Sequence, residues 1–396
     1  EEAYEHTYLL PKPDEELPAC RPLKTTPIHD LLEARGAVFG AVYGWERPNW
    51  FAPEGVEAKD ICSFGHANYF EPVGEECRGI ERSVGIADIS HAAKFLISGP
   101  GVVAMLEQLL CTRTPTASSV VVAYALTAKG RVRSEFTIMR EAENRFWLIC
   151  AAESERYNLD LLLKNLPADG SVQIDNCTSS TAALSLRGPN ARDLLTRIIQ
   201  DDLSDAQFPV ASLRHMTVKL APAQVVRSAT SEWQIYTPSE YLRHIFLALE
   251  AEAKDIEIVF YGARAANSLR LDAGQPAWGS ELIRCFNALE SGLQDLIDFD
   301  RPDFVGREAL LAQQESGLNL KLISLEVSGN ADIDARGSEP IRVKNGAIIG
   351  RTTSGGFAHL SNRSIAMGYI QTAITDEALE ILLMGNWYKA RRTNHG

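Results

Sequence analysis

Residues 93–110 (AKFLISGPGVVAMLEQLL) and residues 181–200 (TAALSLRGPNARDLLTRIIQ) share one pattern, and this repetition decides the fold. In both stretches an apolar run that is typical of a β-strand meets a Gly-Pro pair, and a segment with helical spacing of apolar residues follows. The first copy predicts a strand over 87–98 and a helix over 102–110, and the second a strand over 181–186 and a helix over 191–200. The repetition indicates two related units that mix helices and strands.

Each copy then continues in the same order, with further strands and a closing helix. Strands are predicted over 120–126, 132–139, 146–151, 213–220, 224–227 and 232–236, and closing helices over 153–165 and 239–253. The Lys129-Gly130 step between two strands is a hairpin signal. The order predicts an α+β fold with two related halves, over about 84–165 and 182–315, rather than a solenoid.

The remaining segments define the ends of the chain. Residues 1–25 are rich in Pro and Glu and predict an extended N-terminal arm. Residues 39–51 (FGAVYGWERPNWF) cannot form a regular helix, and the pattern leaves open an aromatic plug beneath a loop or a lid over a pocket. Residues 319–396 are strand-rich with Gly and Asn turns and predict a small β-barrel or sandwich. The main domain is therefore expected over 26–318.

Composition and charge exclude several classes of protein. The chain has 396 residues, of which 45% are hydrophobic and 23% charged, an ordinary globular composition. The 39 basic residues against 52 acidic ones give a net charge of −13, which argues against a nucleic-acid partner or an anionic membrane surface. No apolar run reaches the ~18–20 residues of a transmembrane helix. The N-terminus lacks the basic-then-apolar order of a signal peptide.

Common catalytic signatures are missing from the sequence. The 7 cysteines are scattered without a C-x-x-C pair, which predicts reduced thiols in a cytoplasm-like compartment. There is no phosphate-binding P-loop, no G-x-G-x-x-G and no G-x-S-x-G. Among the 8 histidines, His91 and His359 are the notable ones, but none forms H-E-x-x-H or a close metal-binding pair. We therefore expect no bound metal and no flavin in this chain.

A series of short motifs follows in a fixed order from about residue 26 to the end. They are 35–40 (RGAVFG), 44–51 (GWERPNWF), 84–90 (VGIADIS), 127–132 (TAKGRV), 186–189 (LRGP), 267–271 (NSLRL), 277–279 (AWG), 289–293 (LESGL), 304–310 (FVGREAL) and 353–357 (TSGGF). Each motif is weak alone, but the ordered set is specific. It resembles the aminomethyltransferase (glycine-cleavage T-protein) family, and most closely the folate-binding C-terminal half of dimethylglycine and sarcosine dehydrogenases.

The resemblance implies both an architecture and an activity. It implies a pseudo-symmetric pair of α+β folate-binding subdomains, a C-terminal β-barrel, and tetrahydrofolate as cofactor in a central channel. The implied function is a tetrahydrofolate-dependent methyl or aminomethyl transferase in demethylation of a small methylated substrate. Because the flavin half of those dehydrogenases is not in this sequence, a separate flavoprotein is the implied partner, in the cytoplasm or the mitochondrial matrix. The alternative is a non-catalytic subunit or binding module that has lost normal folate binding.

Glu135 is the candidate catalytic residue. Residues two apart on a strand share a face, so Arg131, Arg133 and Glu135 are expected to point the same way. Two guanidiniums beside a carboxylate are expected to keep it ionised. By the resemblance, Glu135 falls where the family places an acidic residue near the reactive folate nitrogens. From the residues alone, a solvated salt-bridge face is the alternative.

Four further residues are candidates for cofactor binding. Arg270 lies between two leucines and is expected to have a partner, either a folate carboxylate or an internal acid, Asp272 or Glu290. Three aromatic residues are candidates for stacking on the flat pterin ring, with simple core packing as the alternative: Tyr236, Trp278 and Phe357.

One segment departs from the family pattern. The family motif R-x-S-Y-x-G-E-x-G-[WY]-E, whose Glu grips the pterin edge, corresponds here to residues 226–236 (VRSATSEWQIY). Thr230 occupies the position of that Glu, and the Tyr and both glycines are absent. Arg227 and Glu232 remain as candidates for cofactor binding, and Glu232 can replace the missing acid only if the turn is rebuilt. We therefore expect this chain to bind tetrahydrofolate more weakly than a relative with the intact motif.

Overall fold

A computed structural model describes residues 2–329, 332–375 and 378–393 of the chain. The chain forms two compact units, and each unit draws on two separate segments. The first unit comprises residues 1–92 and 177–267, and the second comprises residues 93–176 and 268–396.

The secondary structure alternates short helices with antiparallel strands. In residues 2–176 the elements are α1 Glu2–His6, α2 His29–Glu33, β1 Ala37–Val42, β2 Trp45–Phe51, α3 Phe70–Arg82, β3 Val84–Asp88, β4 Ala93–Ser98, α4 Val102–Leu109, β5 Ser119–Leu126, β6 Val132–Ala142, β7 Arg145–Cys150, α5 Glu155–Lys164 and β8 Gln173–Asn176. In the rest they are β9 Thr181–Arg187, α6 Ala191–Thr196, β10 Ser212–Val218, β11 Ala221–Ala229, β12 Glu232–Pro238, α7 Leu242–Glu252, β13 Ile258–Phe260, α8 Ala263–Asp272, α9 Arg307–Ser316, β14 Leu320–Ser328, β15 Pro340–Val343, β16 Ile348–Ala358, β17 Arg363–Gln371, β18 Leu379–Leu383 and β19 Asn386–Arg392.

Each unit is built on its own strand order. In the first unit the order is β13-β3-β9-β12-β11-β10, where β13 runs parallel to β3 and the other pairs are antiparallel. In the second unit the order is β5-β6-β7-β4-β8, all antiparallel. The second unit also contains the closed barrel β14-β17-β16-β15-β18-β19. The α+β fold class with a C-terminal barrel is thereby confirmed, and the barrel decides between the two predicted β architectures.

The strand–Gly-Pro–helix repeat is visible in both units. β4 leads through Gly99 into α4, and β9 leads through Gly188 into α6. Both glycines have positive φ, +121° and +128°. A Cβ on Gly99 would lie 2.2 Å from the carbonyl oxygen of Ser171, and one on Gly188 would lie 2.3 Å from that of Ser83. In each copy a neighbouring backbone segment comes so close that only glycine fits at this position.

Some predicted elements differ from the structure. The strand expected over 87–98 is two strands, because the Asp88 carboxylate accepts the Ser90 N–H (2.9 Å) and turns the chain. Residues 39–51 form the β1–β2 hairpin, with Tyr43 and Gly44 at positive φ in its turn. The N-terminal arm is not wholly extended, since it begins with α1.

The apolar core next to the candidate site belongs to the second unit. It joins Tyr124 of β5 and Val132 of β6 to Leu282 and Leu289 of the segment between α8 and α9. Burial of each aliphatic side chain contributes about 1.5–3 kcal/mol. This core therefore holds the 282–293 segment against the β5–β6 hairpin that carries Glu135.

Candidate functional site

Glu135 lies half-buried on β6, directly opposite Tyr124 of β5. The Tyr124 hydroxyl donates a hydrogen bond to Glu135 Oε2 at 2.9 Å. Burial raises the pKa of the Glu135 carboxyl above its ordinary value, while the bond from Tyr124 acts in the opposite direction. The arrangement gives a carboxylate that is a better proton acceptor than a solvated glutamate.

The predicted face of β6 is present, but the predicted ion pairs on it are not. Val132, Ser134 and Phe136 are buried, whereas Arg133 and Glu135 are half-buried. Arg133 Nε donates to the Tyr157 hydroxyl at 2.8 Å instead of contacting Glu135. The two guanidiniums do not set the pKa of Glu135, because burial has the largest effect on that pKa and raises it.

Sequence reasoning missed two residues that lie close to Arg133 in the second unit. Tyr157 lies on α5, which is fixed to β6 because Ser134 Oγ donates to Asn158 Oδ1 at 2.7 Å. The guanidinium of Arg284 lies over the Tyr157 ring, 3.9 Å from its centroid. No local pattern marks either residue, because one lies in a helix and the other in an irregular loop.

Arg270 has an internal partner that the sequence did not indicate. Its Nη1 pairs with Glu281 Oε2 at 2.9 Å, and its Nη2 donates to Ser354 Oγ at 2.8 Å. Glu281 is fully buried, and its Oε1 accepts hydrogen bonds from Thr353 and Ser354, each at 2.6 Å. Neither Asp272 nor Glu290 is the ion-pair partner. These contacts make Arg270 a structural link between α8 and the barrel strand β16.

The three candidate aromatic residues occupy different environments. In the second unit, Trp278 is half-buried, and its Nε1 donates to Ser154 Oγ at 2.9 Å. Phe357, also in the second unit, meets His359 edge to face at 5.1 Å. Tyr236 is buried in the first unit, and its hydroxyl donates to Gln234 Oε1 at 2.7 Å. Burial raises the Tyr236 pKa. Trp278 and Phe357 keep exposed surface for a ligand, whereas Tyr236 fits the core-packing alternative.

The altered motif forms a tight hairpin in the first unit. Ala229 pairs with Glu232, so Thr230 and Ser231 make the turn. Glu232 lies opposite Arg187 of β9, and its Oε1 is 3.1 Å from the Arg187 Nε. The turn is therefore not rebuilt around a Glu232 that replaces the missing acid.

Arg227 has a structural environment in the same hairpin. It is 2% exposed, and its guanidinium donates to the Phe208 carbonyl oxygen at 2.7 Å. It also pairs with Asp205 at 2.6 Å and lies 5.3 Å from the centroid of the Trp233 ring. Its two terminal nitrogens, Nη1 and Nη2, donate to the carbonyl oxygens of Phe208 and Thr230, which supports a structural role for Arg227.

The described residues hold neither a metal-binding cluster nor a membrane-spanning helix. No group of three or more His, Cys, Asp or Glu side chains in the described ranges could hold a metal ion. None of the 7 cysteines is in a disulfide. Within residues 2–329, 332–375 and 378–393, no helix is both long and apolar enough to cross a membrane.

Comparison with known families matches both parts of the chain. The GCVT N-terminal domain matches residues 28–301, and the glycine cleavage T-protein C-terminal barrel domain matches residues 321–395. The chain belongs to this family. Membership confirms the resemblance drawn from the ordered motifs.

Two kinds of known protein are similar in sequence to this chain. Mitochondrial dimethylglycine dehydrogenase of Homo sapiens is 31% identical over 98% of the chain, which spans only 46% of that relative's length. An aminomethyltransferase of Caldanaerobacter subterraneus is 26% identical over 93% of the chain and 94% of the relative. The crystal structure of the glycine cleavage system aminomethyltransferase T from Bartonella henselae shares the fold, with a TM-score of 0.79, 22% identity, and coverage of 94% of this chain and 98% of that one.

Proposed function

We propose that this chain is a tetrahydrofolate-dependent one-carbon transferase in the demethylation of a small methylated amine. The observation that carries the proposal is the Glu135–Tyr124 pair, a half-buried carboxylate held by a hydroxyl at 2.9 Å. It occupies the strand position at which the family resemblance places an acidic residue. The family match over residues 28–301 supports the same reaction class.

The residues of the second unit fit the chemistry of such a transfer. Tetrahydrofolate supplies the nucleophilic nitrogens that accept the one-carbon unit. The Glu135 carboxylate accepts the proton that a nitrogen loses as it attacks, and its negative charge stabilises a cationic iminium substrate beforehand. Its raised pKa makes it a stronger proton acceptor. Half-buried Trp278 offers a flat apolar surface to a heterocycle.

Glu135→Gln tests this proposal. The variant keeps the shape and the bond from Tyr124 but loses the charge, so we expect one-carbon transfer to fall by ~10²–10³-fold. Formation of methylenetetrahydrofolate from a methylated amine and a flavin oxidase measures the rate, and thermal unfolding measures the stability. Glu143→Gln, at an exposed position beyond the end of the same strand, is the matched control. Full activity of Glu135→Gln would assign Glu135 a structural role.

A non-catalytic binding subunit is the second candidate, and the 226–236 hairpin favours it. Thr230 lies in the tight turn, and Glu232 is paired with Arg187. Loss of a charge-assisted acceptor costs ~1.5–3 kcal/mol, or roughly 10–100-fold in affinity. Calorimetric titration with tetrahydrofolate under anaerobic conditions separates the candidates. Binding with turnover supports the transferase, and a total lack of binding supports the second candidate.

The proposed transferase works with a separate flavoprotein in the cytoplasm or mitochondrial matrix. An iminium product hydrolyses in water, so direct transfer from the oxidase conserves it. The N-terminal arm exposes several large apolar side chains that a partner can cover, namely Tyr4, Tyr8, Leu9, Leu10 and Leu23. Leu9→Ser with Leu10→Ser is expected to weaken association with the flavin oxidase in gel filtration. Unchanged association would exclude the arm as the contact.

A further inference from the structure

Two arginines of the second unit converge on one tyrosine ring. Arg133 of β6 donates from Nε to the Tyr157 hydroxyl at 2.8 Å, and its guanidinium carbon lies 5.9 Å from the ring centroid. Arg284 lies over the same ring, with its guanidinium carbon 3.9 Å from the centroid. Tyr157 and Arg133 are half-buried, while Arg284 is exposed. The three side chains form one cluster. We call Arg133 and Arg284 the arginine pair.

The backbone holds this cluster in place. The Val132 N–H donates to the carbonyl oxygen of Phe286 at 3.1 Å, and the Ala288 N–H donates to that of Gly130 at 3.0 Å. The loop that carries Arg284 therefore runs alongside the start of β6, which carries Arg133. The Phe286 ring stacks on Tyr369 at 3.5 Å and fixes the loop from its other side.

Neither arginine has an acidic partner among the described residues. The described ion pairs include neither Arg133 nor Arg284, and the nearby acid Glu135 is bonded to Tyr124 instead. Two like charges beside one ring repel each other, and a bound anion would remove that repulsion.

The contacts with Tyr157 leave the anion-binding groups of both arginines accessible. Arg133 uses Nε on the hydroxyl, so its terminal N–H groups are not engaged by that bond. Arg284 is exposed over the ring, and among the described residues no hydrogen bond or ion pair occupies its N–H groups. Guanidinium edges are matched in geometry to carboxylates, which they bind through paired hydrogen bonds.

We propose that the arginine pair on Tyr157 binds the carboxylate of a ligand whose reacting end lies at Glu135. The inference rests on the proposed function and names a chemical class of ligand for it. Arg133 and Glu135 are two positions apart on β6, or about 7 Å along the strand. One small zwitterion can therefore place its carboxylate on the arginines and its cationic amine at Glu135. The carboxylate belongs either to an amino-acid methyl donor or to the glutamate end of the folate.

Paired ligands with and without a carboxylate test the inference and distinguish its two sources. The first pair is N,N-dimethylglycine and its amide, and the second is tetrahydrofolate and 6-methyltetrahydropterin. We expect Arg133→Gln/Arg284→Gln to bind one of the two carboxylate ligands ~10–100-fold more weakly than wild type. Binding of the matching ligand without a carboxylate is expected to stay unchanged. The carboxylate ligand whose affinity falls shows whether the bound carboxylate belongs to the methyl donor or to the folate.

Arg156→Gln is the matched control, because Arg156 is an exposed arginine next to Tyr157 on the same helix. We expect it to bind all four ligands as wild type does, and thermal unfolding verifies that each variant is folded. Equal affinity of wild type and the double variant for both carboxylate ligands overturns the inference, as does a wild type that binds neither. If that wild type still transfers one-carbon units to tetrahydrofolate, the proposed function stands without the arginine pair. If ligand binding depends on the two arginines but no one-carbon unit is transferred, the carboxylate site stands and the proposed transferase activity is refuted.

Discussion

Glu281→Gln is expected to destabilise the second unit strongly. The Glu281 side chain is 0% exposed, and its two oxygens accept hydrogen bonds from Arg270, the Ala277 N–H, Thr353 and Ser354. A glutamine removes the charge opposite Arg270 and turns an amide N–H₂ toward groups that are themselves donors. The Arg270 guanidinium, which is 14% exposed, then remains buried without its counter-charge.

The magnitude follows from this burial. Removing one partner of a buried ion pair costs about 3–5 kcal/mol. For a unit of roughly 200 residues, each kcal/mol lowers Tm by about 2–4 °C, so the expected loss is about 6–20 °C. The matched control is Glu75→Gln, because the Glu75–Arg78 pair has a similar distance of 2.8 Å but Glu75 is 68% exposed. That exposed pair is expected to contribute about 1 kcal/mol or less.

Differential scanning calorimetry of four proteins completes the test: wild type, Glu281→Gln, Arg270→Met, and the double variant. Since Arg270→Met removes the buried cation, Glu281→Gln is expected to cost less in that background, with a coupling free energy of about 1–3 kcal/mol. Two results would refute the reasoning. One is a Tm loss for Glu281→Gln no larger than that for Glu75→Gln, and the other is strict additivity in the double variant.

Three further predictions concern single side chains. Tyr124→Phe removes the bond that lowers the Glu135 pKa, so the acid limb of the kcat/KM profile should move to higher pH, and an unchanged profile would separate Glu135 from the reaction. Burial raises the Glu76 pKa to about 8 from 4.5. Its stabilising contribution is therefore complete below pH 4.5 and lost as pH rises through about 8, a change of a few kcal/mol at about 1.4 kcal/mol per unit. Denaturant unfolding from pH 4 to 9 should show this decline in wild type and a flatter curve in Glu76→Gln. Glu232→Gln should leave tetrahydrofolate affinity within about twofold of wild type, because Glu232 is paired with Arg187 on a half-exposed surface, and abolished binding in calorimetry would show that it holds the ligand.

Local patterns predicted the elements whose cause is local. The Gly-Pro repeat predicted both strand-to-helix turns because each glycine adopts a positive φ that the sequence marks directly. Alternation predicted that Arg133 and Glu135 share a face of β6, and both are half-buried between buried neighbours. The 87–98 strand was wrong in extent because the Asp88 side chain interrupts it, and an Asx turn inside an apolar run is a weak sequence signal.

Partners of charged side chains were not predictable, because they come from distant segments. Asp272 lies two residues from Arg270 on one helix, and residues with that spacing do not face each other. Its carboxylate instead accepts the N–H groups of Leu360 and Ser361, at 3.1 and 3.2 Å. Glu290 accepts the Asn287 N–H within its own turn, at 3.1 Å. Glu281, the actual partner, is 11 residues from Arg270 and has no periodic relation to it.

The net charge of the chain and its local charge give opposite indications about anions, and the local charge governs binding. A net charge of −13 is spread over the whole surface, and at physiological ionic strength its field is screened within about 8–10 Å. Arg133 and Arg284 approach one ring without an intervening acid, so their joint field acts at hydrogen-bond range, where screening is weak. An acidic protein can therefore bind a carboxylate wherever its fold separates cations from the acids that elsewhere neutralise them. The second unit has such a place beside its candidate catalytic residue. Glu135, the acid nearest to Arg133 along β6, is bonded to Tyr124, and the two arginines remain available to a carboxylate.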